Sequence, residues 1–209
     1  MKRQGLFITF EGADGSGKST QINKIFDLLS KKGIECILTR EPGGTDLGNK
    51  LRDILLNYDA PVASTCETFL YLADRAQNVE TKVKPAIEAG RVVLCDRHID
   101  STVAYQGFAR GLDIEQLINL NKFATGGLLP DLTIVFDIET EIAIQRVGSN
   151  KDRLESEGYE IHKKLRYGYL DLAQRFPDRI KIINSNNDVQ TVFNDTLKIL
   201  KMYLPEINL

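Results

Sequence analysis

The residues from Gly12 to Ser19 have the types and spacing of a loop that binds phosphate groups. They read GADGSGKS and fit the pattern G-x-x-x-x-G-K-[ST]. In such a loop the backbone N–H groups turn inward around phosphate oxygens, and the glycines permit the backbone angles that this requires. We therefore expect Lys18 to reach the terminal phosphates of a nucleoside triphosphate and the Ser19 hydroxyl to hold Mg²⁺.

Polar residues at the ends of the next two predicted strands supply further charges. Arg40 follows the second strand directly, before Glu-Pro-Gly-Gly, and Arg52 lies on the helix that comes next. Asp96 closes an apolar strand, where a carboxylate can organise Mg²⁺, and Arg97 comes directly after it. Arginines from two such loops exceed what one nucleoside triphosphate needs. The pattern therefore favours a second phosphorylated substrate, and hence phosphoryl transfer between nucleotides over plain hydrolysis.

Another basic segment, residues 146–153, lies between two predicted helices after the fourth predicted strand. Its composition alone is typical of a solvated loop. The phosphate loop contains no arginine, however, and phosphoryl transfer needs cations near the equatorial phosphate oxygens. We therefore expect a lid over about residues 146–158 that brings a catalytic cation and excludes water when it closes.

These residues need a sheet that brings the ends of its strands to one edge, and the sequence predicts one. Strands are predicted at residues 6–10, 34–39, 91–95, 132–137 and 179–183. Helices are predicted at about 18–31, 47–57, 65–89, 99–107, 114–125, 140–147, 159–175 and 189–203. This alternation predicts an α/β fold with a parallel sheet covered on both faces, whose ligands lie beyond the carboxyl ends of the strands.

The long helix predicted at residues 65–89 carries two further patterns. Ser64 to Glu67 fits a capping box, in which the glutamate would bond back to the start of the helix. Tyr71 and Arg75 lie one turn apart on a face separate from the apolar stripe. This pair is equally compatible with simple packing beside a solvated cation and with ligand binding.

The composition of the whole chain excludes several classes of protein. The chain has 209 residues, of which 42% are hydrophobic and 27% charged, and this is typical of one globular domain. The formal net charge of −2 argues against a general binder of nucleic acid or membrane surfaces. Cys36, Cys66 and Cys95 form no C-x-x-C pair, and no apolar run has transmembrane length. We therefore expect a reduced cytoplasmic protein without a signal peptide.

Together, these motifs resemble the thymidylate kinase family in its bacterial form. Besides the phosphate loop, the chain has TREPGGT at residues 39–45, the aromatic-x-x-x-Arg pair Tyr71 and Arg75, and DRHIDSTVAYQG at residues 96–107. PDLT at residues 130–133 and DRLE at residues 152–155 also fit, so the similarity covers nearly the whole chain.

The resemblance implies both a fold and an activity. The implied fold is a three-layer α/β/α P-loop kinase fold with a five-stranded parallel sheet, built as one nucleoside monophosphate kinase domain over residues 1–209. The implied activity is the phosphorylation of dTMP to dTDP by ATP with Mg²⁺, in the synthesis of dTTP. The implied assembly is a homodimer formed by helix packing.

The motifs and the resemblance together give the candidate site residues. The expected catalytic residues are Lys18, Arg97 and Arg153, and the expected ligands of Mg²⁺ are Ser19 and Asp96. The expected ATP-binding residues are Gly12, Ala13, Asp14, Gly15, Ser16, Gly17, Lys18, Ser19 and Thr20. The expected dTMP-binding residues are Asp14, Arg40, Arg52, Tyr71, Arg75, Arg97, Ser101, Thr102, Tyr105 and Gln106.

The resemblance also assigns individual roles within the dTMP-binding set. Tyr71 would stack on thymine, at a position where phenylalanine is usual in the family. Tyr105 would fill the place of a ribose 2′-hydroxyl, and Asp14, where many bacterial members have glutamate, would approach the sugar 3′-hydroxyl. The edge of the base would be bonded by Arg75, Thr102 and Gln106. The dTMP phosphate would be held by Arg40 and Arg97.

The family places its catalytic arginine either in the phosphate loop or in the lid. Since the loop of this chain has none, the resemblance assigns that role to Arg153, and Arg146 or Lys151 are candidates to share it. We expect the adenine contacts near residues 185–189.

Three alternatives remain. A switch of the small GTPase kind would carry N-K-x-D for guanine, but here Asn121 and Lys122 are followed by Phe and Ala, and the third strand lacks the D-x-x-G glycine. A non-catalytic nucleotide-binding protein would not need the phosphate-loop lysine together with Asp96 and a lid arginine. Another P-loop nucleoside monophosphate kinase, with a different acceptor, would share most of these features.

Overall fold

The computed structural model describes residues 5–147 and 158–205 and contains a five-stranded parallel sheet. The strands are β1 (Leu6–Glu11), β2 (Cys36–Arg40), β3 (Val92–Asp96), β4 (Leu132–Asp137) and β5 (Ile180–Asn184). They lie in the order β2-β3-β1-β4-β5, and every neighbouring pair is parallel. The predicted five-stranded parallel sheet is confirmed, with β2, β3 and β5 displaced by one or two residues from their predicted bounds.

Helices connect the strands, as the alternating pattern predicts. The α-helices of the described residues are α1 (Lys18–Lys31), α2 (Asp46–Asn57), α3 (Ser64–Asn78), α4 (Lys84–Glu88), α5 (Ile99–Thr102), α6 (Ile114–Thr125), α7 (Thr140–Val147), α8 (Tyr159–Arg175) and α9 (Val189–Tyr203). Two π-helical segments, Val79–Val83 and Val103–Ala109, join α3 to α4 and prolong α5. The predicted helix at residues 65–89 is therefore one run with a wider turn inside it. No helix in this described part is both long and apolar enough to cross a membrane.

Both faces of the sheet are buried, because successive side chains of a strand point to opposite sides. In β1, Ile8 and Phe10 pack on one face with Ile22 of α1 and Leu197 of α9, whereas Phe7 packs on the other face. The central strands are consequently apolar at nearly every position, as parallel strands covered on both sides require.

The register of the sheet brings the candidate site residues to one edge. Phe10 at the end of β1 lies opposite Asp96 at the end of β3, and Asp96 lies opposite Arg40 at the end of β2. The chain segments that leave these three strands therefore start side by side, which is where parallel sheets bind their ligands.

The predicted capping box at the start of α3 is wrong. Ala63 occupies the cap position without a side-chain hydrogen bond, and the backbone N–H of Glu67 donates to the carbonyl of Ala63. The Glu67 side chain turns into the protein, where it accepts hydrogen bonds from Gln106 and Arg110. The acidic residue of the pattern thus belongs to a buried polar cluster and not to the helix start.

Candidate active site

The phosphate loop forms the predicted turn between β1 and α1. Gly12, Gly15 and Gly17 have φ angles of 135°, 81° and 83°, which residues with side chains rarely adopt. A Cβ atom on Gly15 would lie 2.4 Å from the carbonyl oxygen of Ala143, so this position also has no room for one. Gly17 stands at the cap of the 14-residue helix α1. The loop therefore ends on a helix N-terminus, which favours a bound anion.

Lys18 is almost completely buried within this loop. Its Nζ donates to the carbonyl oxygen of Ala13 at 3.2 Å and lies 4.0 Å from Asp14 Oδ1. Burial, together with the nearby positive charge of Arg97, lowers the pKa of Lys18 against the opposing effect of Asp14 and Asp96. The ammonium thus has few strong partners among the described residues and is placed to bind phosphate oxygens.

Ser19 and Asp96 lie together, as expected for ligands of one Mg²⁺ ion. The Ser19 hydroxyl donates to Asp96 Oδ2 at 3.0 Å. The other oxygen, Asp96 Oδ1, is buried and has no hydrogen-bond partner among the described residues. A buried carboxylate oxygen beside a hydroxyl is the kind of oxygen donor set that Mg²⁺ prefers, so these residues fit the ion.

A pocket opens next to the phosphate loop, and it contains nearly all the residues predicted to bind dTMP. It is lined by Asp14, Arg52, Tyr71, Arg75, Arg97, Ser101, Thr102, Tyr105 and Gln106, together with Glu41, Pro42 and Leu56. The exception is Arg40, which is exposed and lines a neighbouring cavity with Ser19 and Asp96. The pocket side chains come from the phosphate loop, the segment after β2, helices α2 and α3, and the segment after β3. The sheet register brings the ends of β1, β2 and β3 to one edge.

Arg97 connects this pocket to the phosphate loop. Its guanidinium donates to the carbonyl of Gly12 at 3.1 Å and to Asp14 Oδ1 at 2.5 Å, and it lies 5.1 Å from the ring centre of Tyr105. With a φ angle of 65°, Arg97 is the one non-glycine residue of the described chain with a left-handed backbone. That conformation costs a side-chain-bearing residue about 1–2 kcal/mol, so the surrounding structure must hold it.

Glu11, which the sequence analysis missed, supplies that support. Its carboxylate is fully buried and accepts the backbone N–H groups of His98 at 2.8 Å and Ser101 at 3.3 Å. It also accepts the hydroxyls of Ser101 at 2.5 Å and Tyr169 at 3.2 Å. Burial and the charge of Asp100 raise the pKa of Glu11 to about 7. The sequence did contain a signal for this role: Glu11 is an acidic residue that ends an apolar strand immediately before the phosphate loop.

Asp14 and Tyr105 face each other across the mouth of the pocket. The Tyr105 hydroxyl donates to Asp14 Oδ2 at 3.0 Å. Burial by itself raises the pKa of Asp14, but the charges of Arg97 and Lys18 outweigh it and hold that pKa below its ordinary value. Asp14 is therefore ionised and lies between two cations.

Arg75 is fully buried, which decides against a solvated cation on α3. Its guanidinium donates to Glu41 Oε2 at 2.8 Å and to the carbonyl of His98 at 2.9 Å. It also donates to Thr102 Oγ1 at 2.7 Å and to Asn121 Oδ1 at 2.5 Å. An arginine has five N–H groups, so after these four hydrogen bonds one N–H on Nη2 remains for a ligand in the pocket.

Glu41, also missed by the sequence analysis, holds Arg75 in place. Its other oxygen, Oε1, accepts from Asn78 at 3.0 Å and lies 3.1 Å from His98 Nδ1. Although burial opposes it, the charges of His98 and Arg75 lower the pKa of Glu41 to about 2. The glutamate of the TREPGGT motif is therefore a structural anion beneath the pocket.

Asp74, a neighbour of this anion, gives a testable pH dependence. Its Oδ1 accepts from the backbone of Gly43 at 3.0 Å, its buried Oδ2 has no partner among the described residues, and burial raises its pKa from 3.8 to about 6. A raised pKa in the folded state gives stability that is complete below the unfolded pKa and is lost as the pH rises through 6. Asp74→Asn stays neutral, so we expect its free energy of unfolding, relative to wild type, to improve by about 2 kcal/mol between pH 4 and pH 7.

Urea unfolding of both proteins at the two pH values measures this difference. Asp59→Asn, which changes an exposed carboxylate, is the control and should show no such trend. A constant difference between Asp74→Asn and wild type would contradict the raised pKa.

The predicted lid falls mostly on residues 148–157, so Lys151 and Arg153 lie outside the described residues. Arg146, just before them, donates to the carbonyl of Ser185 at 3.1 Å, and the Ser185 hydroxyl donates to the carbonyl of Ser16. The segment expected to contact adenine therefore starts directly against the phosphate loop.

Comparisons with known proteins show the family of this chain. A family model described as thymidylate kinase matches residues 10–196. A thymidylate kinase of Thermoanaerobacter sp. (strain X514) is 46% identical over 202 residues, covering 96% of this chain and 100% of the relative. One from Bacillus velezensis is 43% identical over 210 residues, covering 98% and 99%. The crystal structure of thymidylate kinase from Ehrlichia chaffeensis superposes with a TM-score of 0.77 at 33% identity, covering 94% of this chain and 98% of that one. With a phosphate loop, an adjoining pocket and matches along nearly its whole length, the chain belongs to the thymidylate kinase family.

Proposed function

We propose that the pocket binds dTMP, that the phosphate loop binds ATP, and that the chain transfers the terminal phosphoryl group of ATP to the dTMP phosphate. The family is one of ATP-dependent phosphotransferases that convert dTMP to dTDP. The observation that carries the proposal is Arg97, which lines the pocket and donates to both Gly12 and Asp14 of the phosphate loop. An acceptor phosphate bound at Arg97 would lie beside the phosphates held by Lys18.

The catalytic contribution of these residues is positioning and charge. Phosphoryl transfer needs little covalent help from the protein, but charge on the transferred group must be offset in a site that excludes water. Lys18 would bind the terminal phosphates of ATP, and Arg97 would bind the acceptor phosphate through its forked N–H groups. We also propose that Arg153, in a lid over about residues 146–158, contributes the further cation when the lid closes.

Mg²⁺ would be held by Ser19 and Asp96, which have the oxygen donors for it. When bound, the ion supplies positive charge that offsets the negative charge of the phosphate oxygens. Arg40 lies in the cavity on that side, so we keep its contact with the dTMP phosphate as a prediction that requires its side chain to turn toward Arg97.

The nucleoside would be recognised by the other pocket residues. Tyr71 would stack on the base. The polar edge of the base would bond to Arg75, Thr102 and Gln106. The remaining Nη2 N–H of Arg75 suits a carbonyl oxygen of the base. Tyr105 is held by Asp14 and lies against Arg97, so its ring would occupy the volume of a 2′-hydroxyl.

We further propose that residues 1–209 form a single kinase domain that works as a cytoplasmic homodimer. Phe69 on α3 and Phe123 on α6 are 61% and 88% exposed, and such aromatic side chains on helices support an interface formed by helix packing. Sedimentation of the full chain measures the assembly.

A panel of acceptors tests the proposed function. With ATP and Mg²⁺, kcat/KM should be highest for dTMP, lower for dUMP, and poor for UMP and AMP. The thymine methyl is worth about 1–3 kcal/mol, whereas a purine would leave buried polar groups unpaired and should be rejected by roughly 10⁴ or more. If UMP or AMP were the best acceptor, the dTMP assignment would be wrong.

Tyr105 should control the choice of sugar. In Tyr105→Ala the ratio of kcat/KM for dUMP to that for UMP should fall by about tenfold or more, because the space for a 2′-hydroxyl opens. Tyr105→Phe keeps the ring and loses the bond to Asp14, so it should keep most of that ratio. KM for ATP should change little in either variant. Equal ratios in Tyr105→Ala and wild type would remove this role from Tyr105 alone.

A further inference from the structure

Beneath the base end of the pocket, Glu67 and Gln106 form a buried pair. Both side chains are about 1% exposed, and Gln106 Nε2 donates to Glu67 Oε1 at 2.9 Å. Arg110 also contacts the carboxylate: its Nε lies 3.4 Å from Glu67 Oε1 and its Nη2 lies 3.4 Å from Oε2. Arg110 therefore supplies a counter-charge, and Glu67 Oε1 accepts from both Arg110 and the amide of Gln106.

This contact fixes which way the amide of Gln106 points. An ionised carboxylate accepts hydrogen bonds and donates none, so the Gln106 atom that faces it must be the NH₂ group. The carbonyl oxygen, Gln106 Oε1, must then point away from Glu67. It has no hydrogen-bond partner among the described residues, and Gln106 lines the pocket. The pocket is thus given a hydrogen-bond acceptor at this position.

Arg75, also in the proposed base site, offers a hydrogen-bond donor where Gln106 offers an acceptor. Arg75 has donors only, and its one remaining N–H is on Nη2. A donor at Arg75 and an acceptor at Gln106 match the O4 and N3–H groups of thymine or uracil. They oppose cytosine, which has an amino group in place of O4 and a lone pair at N3.

We propose that Glu67 is a specificity-determining positioning residue, which fixes the amide of Gln106 so that the site accepts thymine and rejects cytosine. The proposal rests on the proposed binding of dTMP in this pocket. Glu67 does not touch the substrate; it acts through Gln106. Its place in the first turn of α3 resembles a helix cap, but its side chain serves the base site.

Glu67→Gln tests the proposal, because an amide at position 67 can donate as well as accept. Gln106 can then present either end to the base. We expect the ratio of kcat/KM for dTMP to that for dCMP to fall by about tenfold or more, with KM for ATP unchanged, since unpaired polar groups are the main source of such discrimination. Glu80→Gln is the matched control: it changes an exposed glutamate further along the same helical run and should keep the wild-type ratio.

A double variant separates positioning from packing. In Glu67→Gln with Gln106→Glu, the carboxylate and the amide exchange places, and the new carboxylate accepts from position 67 while turning an acceptor toward the base. We expect this variant to recover most of the wild-type ratio. A purely structural role for Glu67 predicts no recovery. If Glu67→Gln alone does not fold, as judged by thermal unfolding, a folded double variant that lacks the preference for dTMP overturns the proposal.

Gln106→Ala tests the assignment of the base site separately from the role of Glu67. We expect it to lower kcat/KM for dTMP while leaving KM for ATP unchanged. If dTMP use is unaffected, Gln106 does not read the base and both the base-site assignment and the role of Glu67 fail. If dTMP use falls, but the ratio of dTMP to dCMP is the same in Glu67→Gln as in wild type, only the role of Glu67 fails.

Discussion

Lys18→Ala is expected to lower kcat by about 10³ and to leave the fold intact. The ammonium is buried in the phosphate loop, where it would face charge that builds on the transferred phosphoryl group. Removing one preorganised donor from such a site typically costs about 10²–10³ in rate, and the lysine carries a full charge as well. The fold should survive, because in the free protein the ammonium makes one hydrogen bond, to the carbonyl of Ala13, and one long ion pair, with Asp14.

Turnover and thermal unfolding of the same preparation measure this prediction. Lys31→Ala, which removes an exposed lysine from the last turn of α1, is the control and should retain wild-type activity. A folded Lys18→Ala protein with kcat within a few-fold of wild type would refute the assignment of residues 12–19 as the ATP site.

Arg97→Ala is expected to raise KM for dTMP by about 10² and KM for ATP far less. The forked guanidinium lines the pocket and would bind the acceptor phosphate, and losing charged hydrogen bonds in a largely desolvated site costs a few kcal/mol. Arg91→Ala, at a surface pair before β3, is the control and should change neither constant. Equal effects on both substrates would mean that the two phosphate sites are misassigned.

Arg97→Gly separates the charge from the backbone. Glycine adopts the φ angle of 65° without strain, whereas alanine does not. Arg97→Gly should therefore show the same rise in KM for dTMP as Arg97→Ala but unfold at a higher temperature. A rise confined to Arg97→Ala would attribute the effect to the backbone and not to the guanidinium.

The sequence predicted those parts of the molecule that depend on local patterns. The phosphate loop, the strand periods and the residues after β3 follow from spacing along the chain, and the structure brings nine of the ten predicted dTMP-binding residues into one pocket. Arg40 is the exception, because it lines the neighbouring cavity with Ser19 and Asp96. The sequence therefore predicted the helices, strands and loops more reliably than the direction in which a given side chain points.

The residues that were missed act through contacts between distant segments. Glu11 ends β1 and Glu41 directly follows β2. In the folded chain Glu11 accepts from the backbone N–H of His98, just after β3, and Glu41 contacts the ring of His98. Tyr169 reaches the same cluster from α8, which is far away in the chain. Glu67 was misassigned because a capping box and a buried carboxylate can share one sequence pattern, and only the packing of Gln106 distinguishes them.

Asp14 places a negative charge where the proposed function puts the phosphates of the substrates. Arg97 and Lys18 carry like charges a few ångströms apart, and the carboxylate between them is the counter-ion that keeps both in the cleft. In the proposed mechanism the bound phosphates would replace this carboxylate as the partner of both cations, so that one anion would be exchanged for another with little rearrangement of Lys18 and Arg97. When dTDP leaves, Asp14 would again pair with Lys18 and Arg97, and this competition would limit how tightly the product is bound.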